Sequence, residues 1–415
     1  MKIEKQILIN SVGVIILMFS QWLISVILVR FADYETAGIF SLAMSVSNVF
    51  YAVENYQMRN FQLSDSTGRY TPAQYRFARW MVILIALFMC GIYLIFISDY
   101  NVRTASSIFI YLLYSSVYMI SDTLLIPIQK ADHLEITGYS NIMRGFFAFF
   151  GFMAVFAITK SIILALSAMA VTSLVIVLAY DISKFRHFAK YEPINMKSDF
   201  PAAVYVLKTA VWLMLALTFQ MAITAIPRSY IDLYMGTEMV GYFSTIFTPT
   251  VLITTVVPAI VTSYIPQMAE DIHQGDTKSL LRTVSKPVFV VLAITILAII
   301  GALLVGRFFM RLVFGEQILQ YYTMMYPAII AISVNALGLC AAGILTVLGC
   351  NKSVALSAGI STMLIFVLSK WFLLHGTVYT AAYVLIAAYA FQLIFQMFAI
   401  FNAIRGIHKQ KLKNQ

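Results

Sequence analysis

Twelve blocks of about 20 mostly apolar residues, separated by short polar segments, follow one another along the 415-residue chain. That length matches a hydrocarbon core of roughly 30 Å crossed at about 1.5 Å per helical residue. Lipid offers no partner to a free backbone N–H or C=O, so such a block must close its hydrogen bonds internally, as a helix. A membrane barrel would alternate in strands of about 10 residues, and runs such as Val288 to Val305 do not alternate. Only 11% of the residues are charged, against about 25% in soluble domains, too few to coat a water-facing surface. The expected fold class is an all-α integral membrane protein of about 12 transmembrane helices.

Hydropathy places a first set of spans near Asn10–Val29, Ala37–Tyr56, Trp80–Ile97, Ala105–Pro127, Tyr139–Ile158 and Ile162–Tyr180. A second set lies near Tyr205–Ile226, Val240–Tyr264, Pro287–Val305, Tyr322–Leu348, Val354–Leu374 and Val378–Phe401. Pro249, Pro258 and Pro327 fall inside these spans and are candidate kinks. The apolar stretch Ile7 to Val29 is too long for a cleavable leader and is expected to be the first permanent span.

Cations set the orientation. Most of the 28 Lys and Arg residues fall in alternate loops, and Arg30, Arg103, Lys160, Arg228, Arg307, Arg311 and Lys370 fall on the opposite side. The expectation is an even number of spans with both termini cytoplasmic. The net charge of +10 is thereby read as topology and not as affinity for nucleic acid. Loops are short throughout, which leaves no room for an extramembranous catalytic domain.

An internal repeat follows. Glu35-Thr36-Ala37-Gly38-Ile39-Phe40-Ser41, after the first span, resembles Glu238-Met239-Val240-Gly241-Tyr242-Phe243-Ser244, after the seventh. Each is preceded by an arginine at a span end, Arg30 and Arg228. Further on, Ser64-Asp65-Ser66-Thr67-Gly68 roughly matches Asp271-Ile272-His273-Gln274-Gly275. The reading is a duplication with residues 1–200 and 201–415 as two pseudo-symmetric six-helix bundles, an architecture suited to alternating access.

The sequence holds no GxxxxGK[ST] phosphate loop, no HExxH pair and no GxSxG elbow. Three scattered cysteines and five unpaired histidines form no metal-ligand pattern, and no cofactor is implied. Ionisable residues within spans, each costing about 2.5–3.5 kcal/mol at mid-bilayer, are therefore the functional candidates. Arg144 begins the fifth span, Arg59 ends the second, and Arg30 and Arg228 occupy matching ends of the two halves. A guanidinium binds phosphate oxygens bidentately, so these four are candidate substrate ligands; snorkelling to headgroups is the competing reading. Glu54, in a position to pair with Arg59 or Arg144, and Asp122 are candidate proton or sodium sites, or members of structural ion pairs. Tyr111, Tyr114 and Tyr118 share one helix face and serve either packing or a sugar-lining surface.

The segment Glu54-Asn55-Tyr56-Gln57-Met58-Arg59-Asn60-Phe61-Gln62-Leu63-Ser64-Asp65 resembles the second span and following loop of O-antigen and capsule repeat-unit flippases. These belong to the multidrug/oligosaccharidyl-lipid/polysaccharide (MOP) exporter superfamily. Gly-Ile-Phe-Ser and Gly-Tyr-Phe-Ser, Gln129-Lys130-Ala131-Asp132 and Leu312-Val313-Phe314-Gly315-Glu316 are similar to that superfamily's pattern in order and spacing. The resemblance implies translocation of undecaprenyl-diphosphate-linked oligosaccharides across the bacterial plasma membrane for surface polysaccharide synthesis. It also implies membrane lipids and polysaccharide polymerase or assembly proteins as partners, with Arg30 and Arg59 as cleft arginines. Twelve spans leave out the two further helices of peptidoglycan-precursor flippases, so lipid II is not the expected cargo. Rival readings are a multidrug or metabolite antiporter of the same superfamily, a major-facilitator transporter and a membrane polysaccharide polymerase. Asp65, Gly68 and Arg69 meet the major-facilitator loop signature in part, but Phe61 and Tyr70 break it. The outer loops are too short for a polymerase.

Overall fold

The computed structural model describes residues 3–65, 69–189, 192–255, 257–273 and 277–414. Lys2, Lys190, Ser66–Gly68 and Gln274–Gly275, on which parts of the charge pattern and the repeat rest, lie outside them. Among the described residues the chain is helical and contains twelve helices long and apolar enough to cross a membrane. It divides into two compact units, Met1–Met221 and Ala222–Gln415.

Unit 1 comprises α1 (Ile3–Phe31), α2 (Tyr34–Asn55), α3 (Met58–Ser64), α4 (Pro72–Ile92), α5 (Val102–Lys130), α6 (Leu134–Thr159), α7 (Ile162–Ile176) and α8 (Ile182–Phe188). To these it adds the first part of α9 (Met196–Met235). Local chemistry starts the helices where polar caps precede apolar runs. Asp33 accepts from the Thr36 N–H at 2.6 Å, and Asn101 from the Thr104 N–H at 2.8 Å. α1 lies along α6 through small residues. A Cβ added at Gly138 would sit 2.7 Å from the Ile9–Asn10 backbone, and one at Gly145 would sit 3.0 Å from Leu17 Cα. Close backbone approach of this kind is how membrane helices associate without a hydrophobic drive between them. Phe40, at the centre of the core, meets Tyr111 and Phe152 edge-on at 6.0 and 6.1 Å.

Unit 2 continues from α9 through α10 (Thr237–Phe247), α11 (Val251–Thr255), α12 (Val257–His273), α13 (Thr277–Gly301), α14 (Arg307–Phe314), α15 (Met325–Val347), α16 (Asn351–Leu374) and α17 (Val378–Asn414). α15 is its hub and packs against α12, α13 and α17; its Ala328, Ala331, Ala336 and Cys340 are buried.

Several span ends differ from the hydropathy reading, because helices continue past their apolar blocks wherever polar residues find partners. α4 starts at Pro72, not Trp80. Pro72 is at its first helical position, and Thr71 and Gln74 cap one another's backbone N–H groups. The loop between the second and third spans therefore loses Arg76 and Arg79, which are buried on α4. Asp181 is likewise in no loop: it is buried in a π-helical turn, Val177–Asp181, that joins α7 to α8. α9 runs for 40 residues, about 60 Å at 1.5 Å per residue, against the 22 expected from hydropathy. The ninth span extends from α13 through a π turn, Ala302–Gly306, into α14, so Arg307 and Arg311 are helical.

The expected eighth span is broken between Phe247 and Val251, at Pro249. Threonine hydroxyls occupy carbonyls around the break: Thr248 donates to Ser244 O at 2.8 Å and Thr250 to Phe247 O at 2.7 Å, the compensation that lipid demands. Pro327 lies just past the change from a 3₁₀ stretch, Gln317–Met324, to α15 at Met325, within one continuous span.

Candidate functional site

The second span of unit 1 breaks where no glycine or proline marks it. Tyr56 and Gln57 both take left-handed backbone angles, with φ of 49° and 52°, a conformation costing non-glycine residues about 1–2 kcal/mol each. The break ends α2, starts α3, and turns Arg59 toward α5. It also exposes the last carbonyls of α2 inside the bilayer region. Arg79 answers that need: its Nη1 donates to Glu54 O at 2.6 Å and to Asn55 O at 2.7 Å. Its Nη2 reaches Asp122 Oδ2 at 3.4 Å. The other Asp122 oxygen accepts from Arg59, and Arg59 also donates to Gln129 Oε1 at 2.5 Å. One carboxylate is thus shared by two guanidinium groups of unequal access: the Arg79 side chain is 2% exposed and that of Arg59 28%.

A second ion pair adjoins through α5. Ser121, next to Asp122, donates to Asp181 Oδ2 at 2.6 Å, and the same oxygen accepts from Arg144 Nη2 at 3.1 Å. Both side chains of this pair are fully buried. The Arg144 guanidinium stacks 5.1 Å from the Tyr118 ring and reaches Ser140 Oγ at 3.4 Å. Glu54 is also fully buried. It pairs with neither Arg59 nor Arg144: its Oε1 accepts from Ser116 Oγ at 2.5 Å, and its Oε2 has no hydrogen-bond partner among the described residues.

The six ionisable groups come from α2 to α6 and the π turn after α7, and include three guanidinium and three carboxyl groups. Each buried cation therefore has a buried acid within reach, which is what makes burial affordable in a low-dielectric interior. Arg59 is the one with access. Arg79 and Asp181 were not candidates on sequence, since both lie outside the apolar blocks; the Thr71-Pro72-x-Gln74 capping box was the signal that could have placed Arg79 on a helix.

Arg30 is exposed at the end of α1. In unit 2, half-buried Arg228 donates from Nε to Ser244 Oγ at 3.2 Å and from Nη1 to Thr224 O at 2.6 Å, over the Phe243 ring. Among the described residues no carboxylate lies within 4.0 Å of it. Tyr389, buried on α17, is close enough to interact with it electrostatically, and its hydroxyl has no hydrogen-bond partner among the described residues. Tyr111 and Tyr114 are buried and pack together, with ring centroids 5.7 Å apart, while Tyr118 is half-buried. Asp65 organises the loop after α3: its carboxylate accepts from the Arg69 and Tyr70 N–H groups and the Tyr75 hydroxyl.

The all-α fold, with twelve helices among the described residues long and apolar enough to cross a membrane, is similar to the fold of solved MATE and MurJ transporters. Among solved structures, the lipid II flippase MurJ in an inward closed conformation superposes with a TM-score of 0.69 at 12% identity, over 98% of this chain and 91% of that one. The eukaryotic MATE transporter AtDTX14 gives 0.68 at 11% identity, over 98% of both chains. An inward-facing multidrug resistance MATE transporter of the MOP superfamily gives 0.64 at 10%, over 98% of this chain and all of the other. No family model and no curated protein matches the sequence.

Proposed function

We propose that this protein is a flippase that moves a diphosphate-linked oligosaccharide on a polyprenyl lipid across the bacterial plasma membrane, with both termini cytoplasmic. The carrying observation is the unequal sharing of Asp122. Arg59, partly exposed and just beyond a helix break, can exchange Asp122 for phosphate oxygens, while Arg79 keeps Asp122 and the α2 carbonyls. Cargo capture then leaves no buried charge unpaired. At about 4 Å and an effective dielectric of about 20, each such charge pair is worth about 4 kcal/mol before desolvation, so exchange of one acid for another is close to neutral and reversible. Arg228, without a carboxylate within 4.0 Å among the described residues, is a cation of unit 2 available to an anionic cargo. Arg144 acts by holding α5, α6 and α7 in register through Asp181, and Arg30 meets phosphates at a membrane surface. Polymerase or assembly proteins of the polysaccharide pathway would accept the product.

A second reading, an antiporter of the same superfamily coupled to protons or sodium, is favoured by Glu54, whose buried carboxyl group has one oxygen without a hydrogen-bond partner. The two readings separate in cells lacking the native gene. A flippase restores surface polysaccharide, and Arg59→Gln abolishes that at unchanged protein level while Arg59→Lys restores it poorly, a point charge replacing a bidentate fork. Normal surface glycan with Arg59→Gln removes Arg59 from cargo binding. Glu54→Gln or Asp122→Asn should blunt any response to an imposed pH gradient if that carboxyl carries the coupling ion.

A further inference from the structure

The ninth span, in unit 2, bears a feature that the polar clusters do not use. Where the eighth span breaks at Pro249, a cavity of about 560 Å³ opens, walled by Thr250, Leu252 and Ile253 on one side. Opposite them, α13 presents Ala298 and Gly301, and the π turn presents Ala302 and Gly306. Met310, Met325 and Ile329 close it. The walls are almost wholly apolar, and the volume falls in the range of small-molecule sites, about 300–1,000 Å³.

The rim decides what enters. Leu252, Leu297 and Val305 in its lining are exposed, the last two on a span with mean hydropathy 3.2 in its best window, the highest of the twelve, and only 11% of that window buried. An exposed apolar surface of that kind faces hydrocarbon. At the end of the same wall sits α14, an amphipathic helix with Arg307 and Arg311 one turn apart and Phe308, Phe309 and Leu312 between and after them. Arg311 is held by Glu316. Arg307 is exposed with no carboxylate within 4.0 Å among the described residues, and it lies near Tyr322, whose hydroxyl donates to Ala302 O in the cavity wall. A cation left without an acid beside an apolar slot complements an anionic head on a hydrocarbon chain.

The geometry points to a binding site for an anionic phospholipid, one acyl chain lying in the cavity between the broken eighth span and the π turn, and the phosphate against Arg307. Methionine walls suit a flexible chain, and the π turn has a role beyond geometry, because such turns concentrate at sites. The site is independent of whether Arg59 binds cargo. Gly301 offers a probe on the cavity wall: a Cβ there meets nothing within 4 Å.

The test is photo-crosslinking of the full chain in phosphatidylcholine vesicles, using phosphatidylglycerol with a diazirine in mid-chain, read by peptide mass spectrometry. Label is expected within residues 249–253 and 294–310, and unlabelled phosphatidylglycerol should compete it away. Gly301→Phe and Arg307→Gln should each reduce it severalfold, and Arg311→Gln should leave it unchanged. Arg307 is exposed, so its variant keeps the test valid if Gly301→Phe folds poorly. Equal labelling by a diazirine phosphatidylcholine, or unchanged labelling in Arg307→Gln, overturns the proposal. So does displacement by polyprenyl phosphate but not by phosphatidylglycerol, which would give the cavity to a different lipid.

Discussion

Replacing Arg79 by methionine should unfold unit 1 more readily than any single change at the partly exposed Arg59. Arg79 Nη1 makes two charge-assisted hydrogen bonds, to Glu54 O and Asn55 O, each worth about 1.5–3 kcal/mol. Without them two carbonyls face an apolar interior, and the left-handed pair Tyr56–Gln57 loses the contact that offsets its strain. Asp122 retains Arg59, so the carboxylate is not orphaned. The sum is a loss of about 3–6 kcal/mol, a large part of the 5–15 kcal/mol typical of folded proteins. Arg79→Lys should recover only part, since one ammonium cannot reproduce a planar fork toward two carbonyls and a carboxylate. The assay is thermal unfolding of the purified protein followed by a thiol-reactive fluorophore, which reports the exposure of buried Cys90 and Cys340. Cys90 lies on α4 itself. A midpoint for Arg79→Met within error of wild type, at equal expression, would refute the capping argument.

Other outcomes follow from the same geometry. Arg144→Met alone should cost about 3–5 kcal/mol by stranding buried Asp181, and the double variant with Asp181→Leu should recover much of that loss, measured by the same unfolding assay. Gly138→Val should block assembly of α1 on α6, because its Cβ would lie 2.7 Å from the Ile9–Asn10 backbone; accumulation of full-length, correctly inserted protein would contradict that. Arg228→Gln should abolish transport with little change in unfolding midpoint, since it breaks no ion pair; retained transport would leave Arg228 a structural residue. Cysteines introduced at Asp99–Val102 should react with an impermeant reagent added outside cells, and labelling only after the cytoplasmic side is opened would reverse the proposed orientation.

The lipid-crossing fold was legible because apolar length is a coarse signal that survives any detail of packing. The functional cluster was only half legible. Arg59, Arg144, Glu54 and Asp122 stood out as charges within or at the ends of apolar blocks. Arg79 and Asp181 did not, because a hydropathy window ends where polar residues begin, whereas a helix ends only where its backbone loses partners. The capping box at Thr71 carried the information for Arg79, nine residues ahead of the apolar block at Trp80. The pairings were beyond reach for a different reason. The break at Tyr56–Gln57 involves no glycine or proline, and it is held by a side chain 24 residues away in sequence, so no local pattern could announce it. Glu54, next to that break, was read as a partner for arginine side chains. The arginine instead takes its backbone carbonyl, and its carboxyl turns to Ser116.

Transport by purified protein bears most directly on the proposed exchange at Arg59. Reconstituted into vesicles loaded on both leaflets with a fluorescent polyprenyl-diphosphate disaccharide, the wild type should let dithionite bleach the whole pool, and Arg59→Gln should leave the inner-leaflet half protected. Half-protection with the wild type, together with export of an organic cation from the same vesicles, would contradict the account and move the protein to the antiporter reading.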